Sequence, residues 1–307
     1  MKKQRITANH KVNLQTIFEE YISEKRTLNA SKATITSYSN TFNSFYNCCQ
    51  DNLTAQGIDI YIKCLSERGC KATTINHELR HLRAFANWAA DNSYIEKLKI
   101  KLLTEEESIK PTFSNSELKR LLKRPARNAS FVVWRSWATV NWLIATGNRF
   151  GTLQEIRMED VNFSDSEIYL RHTKNRKVQI IPISNALSIA IRFYINTWRA
   201  DAKPTDYLFC DVYGNSISHN ALFLSIKRYC LDRGISKYGI HIFRHTFAKQ
   251  FILNGGGVFQ LQKILGHSTL DMTRKYVNLY ANDIKEDIQK YNPLDNLSSP
   301  YIIKKAI

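Results

Sequence analysis

The sequence predicts a mainly α fold with a small antiparallel β-sheet, an α+β chain divided into two domains. Three observations carry this. Apolar residues recur at helical spacing along most of the chain. Two short β-prone runs, Ile168–Arg171 and Val178–Ile183, flank the turn-like Thr173-Lys174-Asn175-Arg176 and read as a hairpin. A charged stretch without apolar period, Glu105-Glu-Glu-Ser-Ile-Lys110-Pro111, ends at a proline and reads as a linker. A length of 307 residues suits two domains better than one, and an apolar content of 43% is enough for sizeable cores.

Residues 1–105 read as helices. Leu14, Ile17, Phe18, Tyr21 and Ile22 share one helical face. Ser31 is a candidate N-cap for a helix whose stripe is Ile35, Tyr38, Phe42, Phe45 and Tyr46. A short helix is expected near Ile58 to Ser66. A fourth, starting near Thr73, carries Ile75, Leu79, Leu82, Phe85 and Ala86, with Asn76, Arg80, Arg83 and Asn87 on the other face. That face is either solvated or laid in a nucleic-acid groove. Residues 106–112 form the linker, and a second domain spans 113–290. It restarts at Ser114-Asn-Ser-Glu117, a capping box opening a helix over Glu117–Lys123. Phe131 to Ala145 is apolar enough for a central buried helix, ended by Thr146-Gly147-Asn148. After the hairpin, Ala190, Ile191, Tyr194, Ile195 and Trp198 mark another helix. Asn254-Gly-Gly-Gly257 separates the helix carrying Arg244 from the next, Phe259–Leu265. Without a following Lys-Ser/Thr this glycine run is a helix break and not a phosphate cradle. Residues 291–307, with Pro293 and Pro300, read as a C-terminal arm.

The net charge is +17, which selects a polyanion as partner, nucleic acid before an anionic membrane surface. It is uneven: 16 Lys and Arg face 12 Asp and Glu in residues 1–110, and 28 face 15 in the rest. No apolar run approaches the roughly 18 residues of a membrane span, and the basic start Met1–Arg5 lacks a signal peptide's apolar core. Six scattered cysteines without a Cys-x-x-Cys pair read as reduced thiols of a cytoplasmic protein and argue against a structural zinc.

The densest chemistry lies between His241 and Tyr276. The cluster His241-Ile-Phe-Arg244-His245 is followed by His267, twenty-three residues after Arg244, and by Tyr276, nine residues further on. Arginine neutralises phosphate oxygens, histidine moves protons near neutral pH, and a tyrosine hydroxyl can form a covalent phosphoryl intermediate. Together they suit a phosphodiester. Tyr280, four residues on, is a rival nucleophile.

In order, Ala145-Thr-Gly-Asn-Arg149 with Ile156-Arg157-Met-Glu159-Asp160-Val161, Thr173-Lys174 before Val178-Gln-Ile-Ile-Pro182, His241-Ile-Phe-Arg244-His-Thr-Phe-Ala248, Leu265-Gly266-His267-Ser268 and Thr273-Arg-Lys-Tyr276 resemble the boxes of the tyrosine recombinase family, the phage integrase and Xer-like enzymes. The resemblance covers residues 111 to 290, with a weaker likeness of the first helices to the family's core-binding domain. It implies a two-domain clamp on double-stranded DNA and strand cleavage and rejoining through a 3′-phosphotyrosyl bond. It implies as well that neither metal nor ATP nor another cofactor takes part. Arg149 and Arg244 would neutralise the charge on the transition-state phosphate, Lys174 protonate the leaving oxygen, His241 relay the tyrosine proton, His267 donate to a phosphate oxygen, and Tyr276 attack. Lys71, Arg80 and Arg83 are the candidate DNA contacts of the first domain. A homotetramer on two DNA sites is implied, with the arm exchanged between protomers. Type IB topoisomerase-like relaxation and a non-catalytic DNA-binding accessory role are the alternatives. The chain departs from the family pattern at Asn148, where an apolar residue is usual, at Thr152, where an acid is, and at Lys249. Arg157, Glu159 and Asp160 are expected to brace the first arginine box, and His245 to be structural.

Overall fold

The computed structural model describes residues 13–105, 110–171, 178–267, 269, 270 and 273. The chain divides into two compact units, Met1–Ser108 and Ile109–Ile307.

The first unit holds four helices, α1 (Leu14–Thr27), α2 (Lys32–Cys49), α3 (Ala55–Glu67) and α4 (Ala72–Asp91). Three begin on a side-chain cap: Asn13, Ser31 and Thr54 accept from the backbone N–H groups of Gln15, Thr34 and Gly57, satisfying donors that a helix start otherwise leaves bare. Their apolar stripes meet in an aromatic core. Phe18 stacks on Phe42 at 3.9 Å and meets Phe85 edge-on at 5.2 Å.

The polar face of α4 is largely fastened to its own unit. Asn76 is 1% exposed; its Nδ2 donates to Leu103 O at 2.8 Å and its Oδ1 accepts from Leu103 N at 2.7 Å. Arg83 Nη2 donates to Ile100 O at 2.6 Å, and Arg80 pairs with Glu105 at 3.0 Å. These bonds strap residues 98–105 along the helix. The strap alternates: Leu98, Ile100 and Leu102 pack on the core while Lys97, Lys99 and Lys101 are exposed. A period of two in an otherwise helical unit is what an extended segment with one covered face gives.

The second unit is built around α6 (Phe131–Thr146), against which α5 (Asn115–Leu122), α8 (Asn185–Trp198), α9 (His219–Leu231) and α10 (Ile240–Leu253) pack. Short α7 (Phe150–Gln154) follows α6, and α11 (Val258–Leu265) follows α10. A three-stranded antiparallel sheet has the order β1 (Val161–Asn162), β2 (Glu167–Leu170), β3 (Gln179–Pro182), in a register that sets Ile168 opposite both Val161 and Ile181. The hairpin is thus as expected, with a two-residue β1 added at its edge.

The capping box forms as read: Ser114 Oγ accepts from Glu117 N and Glu117 Oε2 from Ser114 N. Lys237 donates to the same carboxylate at 2.8 Å and to Thr112 O at 2.9 Å, pinning the start of the unit. The central helix carries one residue its apolar run conceals. Arg135, 4% exposed, donates to Cys210 O at 2.7 Å and Ser225 Oγ at 3.0 Å, tying α6 to α9. Sequence reading also passed over α9, although Leu222, Ile226, Tyr229 and Cys230 form its buried stripe at helical spacing.

Candidate active site

Two helix C-termini and the first turns of α10 converge on one point. Helix α6 ends at Gly147 and α11 at Gly266, both in the left-handed conformation at φ +60° and +61°. Gly147 is also a close approach: a Cβ there would stand 2.4 Å from the Phe247 ring and 2.8 Å from Leu265. Arg244, on α10, reaches both ends. Its Nη1 donates to Gly147 O at 2.8 Å and its Nη2 to Leu265 O at 2.9 Å. Helix C-terminal carbonyls carry partial negative charge, so they suit a buried guanidinium. Arg244 is 6% exposed.

His267 follows α11 directly. Its Nε2 lies 2.8 Å from Arg244 Nη2 and its Nδ1 2.8 Å from Thr273 Oγ1. Burial, then Arg244 and Arg149, pulls its pKa down to about 4. Arg149, the N-cap residue of α7, donates to Gly266 O at 3.4 Å. The two arginines and His267 therefore meet at the end of α11. Asn148 and Thr152, the two departures beside Arg149, are both buried. Arg149 is backed here by a main-chain carbonyl where the family pattern has an acid.

His241 lies exposed in the first turn of α10. Partial burial of its ring, then Arg244, Arg149 and His219, hold its pKa below the ordinary value, so the ring is neutral near pH 7 and able to take a proton. His245, half-buried one residue beyond Arg244, is likewise lowered by burial and by His241, Lys110 and Arg244. His219, which sequence reading passed over, starts α9 and meets the Phe150 ring edge-on at 4.5 Å beside Arg149.

Lys174 and Tyr276 lie outside the described residues, as does the arm 291–307. Their flanks are described. Arg171, which enters the turn, donates to Asp160 at 2.5 Å and lies 3.4 Å from Glu159. Asp160 also accepts from Arg157 N, and the Arg157 guanidinium bonds Thr205 O. The trio Arg157, Glu159 and Asp160 thus fixes the hairpin and the loop before Tyr207, a different task from bracing Arg149. On the far side of the turn, Gln179 Nε2 donates to the carbonyls of Lys263 and Ile264, latching β3 to the end of α11 next to His267. A glutamine in the run Val-Gln-Ile-Ile was the available signal. Thr273, three residues before Tyr276, is fully buried.

Lys71, Arg80 and Arg83 belong to the first unit. Lys71 is the exposed N-cap residue of α4, while Arg80 and Arg83 bond the strap as described. A cavity of about 790 Å³ is lined by Arg83, Asn87 and residues 97–102, which adds Lys97, Lys99 and Lys101 to the basic set. The alternating Lys-Leu-Lys-Ile-Lys was the sequence signal for them. Among the described residues no three His, Cys, Asp or Glu side chains converge as a metal site, and no helix is long and apolar enough to cross a membrane.

Residues 111–283 match the model of the phage integrase family. The tyrosine recombinase XerD of Staphylococcus saprophyticus is 25% identical over 296 residues, 91% of this chain and 99% of the relative. Among solved structures, the Tn1549 transposon integrase in complex with a circular intermediate DNA aligns with a TM-score of 0.72 at 19% identity, covering 89% of this chain and 99% of that one. XerH site-specific recombinase bound to its palindromic difH substrate aligns at 0.71 and 17%, covering 88% and 83%.

Proposed function

The chain belongs to the phage integrase family, and on that premise we propose that it is a site-specific DNA recombinase that cuts and rejoins strands through a 3′-phosphotyrosyl intermediate. The observation that carries this reading is the meeting of Arg149, Arg244 and His267 at the end of α11. A scissile phosphate placed there would face two guanidinium groups, one already oriented by two main-chain carbonyls. Such fixed donors stabilise developing charge without reorganising. Tyr276 attacks phosphorus and displaces the 5′ oxygen, which Lys174 protonates. His241, neutral near pH 7, accepts the tyrosine proton. A 5′ hydroxyl of another strand then reverses the step and releases Tyr276. In this reading residues 1–105 are the core-binding domain, 113–290 the catalytic domain, and four protomers act on two sites in the cytoplasm, exchanging their arms 291–307.

The test is covalent trapping. Nicked suicide duplexes carrying DNA from beside the gene should give a denaturant-stable protein–DNA adduct in EDTA. Failure to form one, or a strict need for Mg²⁺, overturns the reading.

The strap makes a second expectation. If Lys97, Lys99 and Lys101 meet phosphates, their joint replacement by Ala weakens binding alike on specific and random duplexes. Each phosphate contact contributes a salt slope of about −0.9, so the slope of log K against log salt should become shallower by about 2 to 3. An unchanged slope assigns the lysines to solvent.

A further inference from the structure

His267 stands between two partners that dictate where its proton lies. A guanidinium has only N–H groups to offer, so Arg244 Nη2 donates and His267 Nε2 accepts. The ring proton is then on Nδ1 and is donated to Thr273 Oγ1. Holding protons on both nitrogens is disfavoured by burial and by Arg244 and Arg149. The proposed reaction asks the opposite of the same ring, because a phosphate oxygen only accepts and Nε2 must then carry the hydrogen. A neutral ring protonated on Nε2 needs a donor facing Nδ1. A hydroxyl can fill both roles by turning about its C–O bond, and Thr273 is fully buried against the ring.

We propose that Thr273 is a positioning residue: its hydroxyl reverses from accepting to donating at His267 Nδ1, and so switches His267 from the Nδ1–H form of the free site to the Nε2–H form that binds phosphate. This rests on the recombinase reading and on its contact between His267 and phosphate. One proton is taken up at Nε2 and one is released from Nδ1, with water as carrier, and the ring is neutral before and after. Because Thr273 lies three residues before Tyr276, the same bond fixes one point of the chain beside the nucleophile.

Nitrogen-15 spectra of histidine-labelled protein read the tautomer directly. His267 should be Nδ1–H in the free protein and neutral Nε2–H in the covalent complex on a suicide duplex. An Nε2–H ring in the free protein, or an imidazolium in the complex, overturns the switch. Thr273→Ser should keep most activity. Thr273→Val, of the same shape without the hydroxyl, should slow cleavage by about 10²-fold with DNA binding intact. A Thr273→Val protein that cleaves like the parent, or whose His267 is as fully Nε2–H in the complex as the parent's, also overturns it. Failure of the recombinase reading looks different, since the parent protein then forms no adduct at all.

Discussion

Replacing Tyr276 by Phe is expected to remove covalent attachment to DNA, lowering adduct formation by at least about 10³-fold, the scale on which deleting a nucleophile acts. Gel-shift affinity should stay as it was, because the change removes no positive charge. A free tyrosine titrates near about 10, so the phenolate has to be favoured by its surroundings. In the proposed reaction Arg149 and Arg244 would supply positive charge, and His241, whose pKa is held below its ordinary value, the proton acceptor. Tyr280→Phe should leave cleavage near the parent rate. Adducts that persist on Tyr276→Phe, or that map to Tyr280, would remove Tyr276 from the reaction.

The second large effect is expected at Arg244. Arg244→Lys keeps the charge and loses the planar fork that serves Gly147 O, Leu265 O and His267 at once. Cleavage should fall by about 10²- to 10³-fold, the usual cost of one missing transition-state donor. Stability should fall too. An ammonium on a shorter reach leaves buried carbonyls unserved at about 1–3 kcal/mol each, which for a unit of this size lowers Tm by several degrees, at about 2–4 °C per kcal/mol. DNA affinity should change little. A variant that melts like the parent but no longer cleaves would limit Arg244 to the phosphate. One that cleaves normally would remove it from the mechanism.

Much of this architecture was legible because local chemistry and global fold agree. Ser31 and Ser114 cap where their side chains can accept, and the stripe from Phe42 to Phe45 is buried as its spacing requires. Gly255, at φ +82°, follows α10 where the glycine run marked a break. The readings that missed concern residues whose role is set by distant partners. Arg135 looks like an intruder in an apolar run until Cys210 and Ser225, far along the chain, supply its acceptors. Asn76 looked like part of an outward face because nothing nearby in sequence shows that Leu103 returns to meet it. Asp160 was grouped with Arg149 by proximity in sequence, yet the sheet brings it Arg171. At the candidate site, residue types singled out Arg244 and His267, but only the fold reveals that they bond each other and that Thr273 completes the chain of contacts.

The anchoring of Arg244 has a consequence for the protein's fate in a cell. The side chain that would hold the phosphate also clasps the ends of α6 and α11, so chemistry and endurance draw on a single group. On the proposed reading, a copy that has lost it would be both defective and shorter-lived, since a drop of one or two kcal/mol is enough to change abundance several-fold through proteolysis of unfolded chains. With this wiring, the lesion that silences the chain also hastens its clearance.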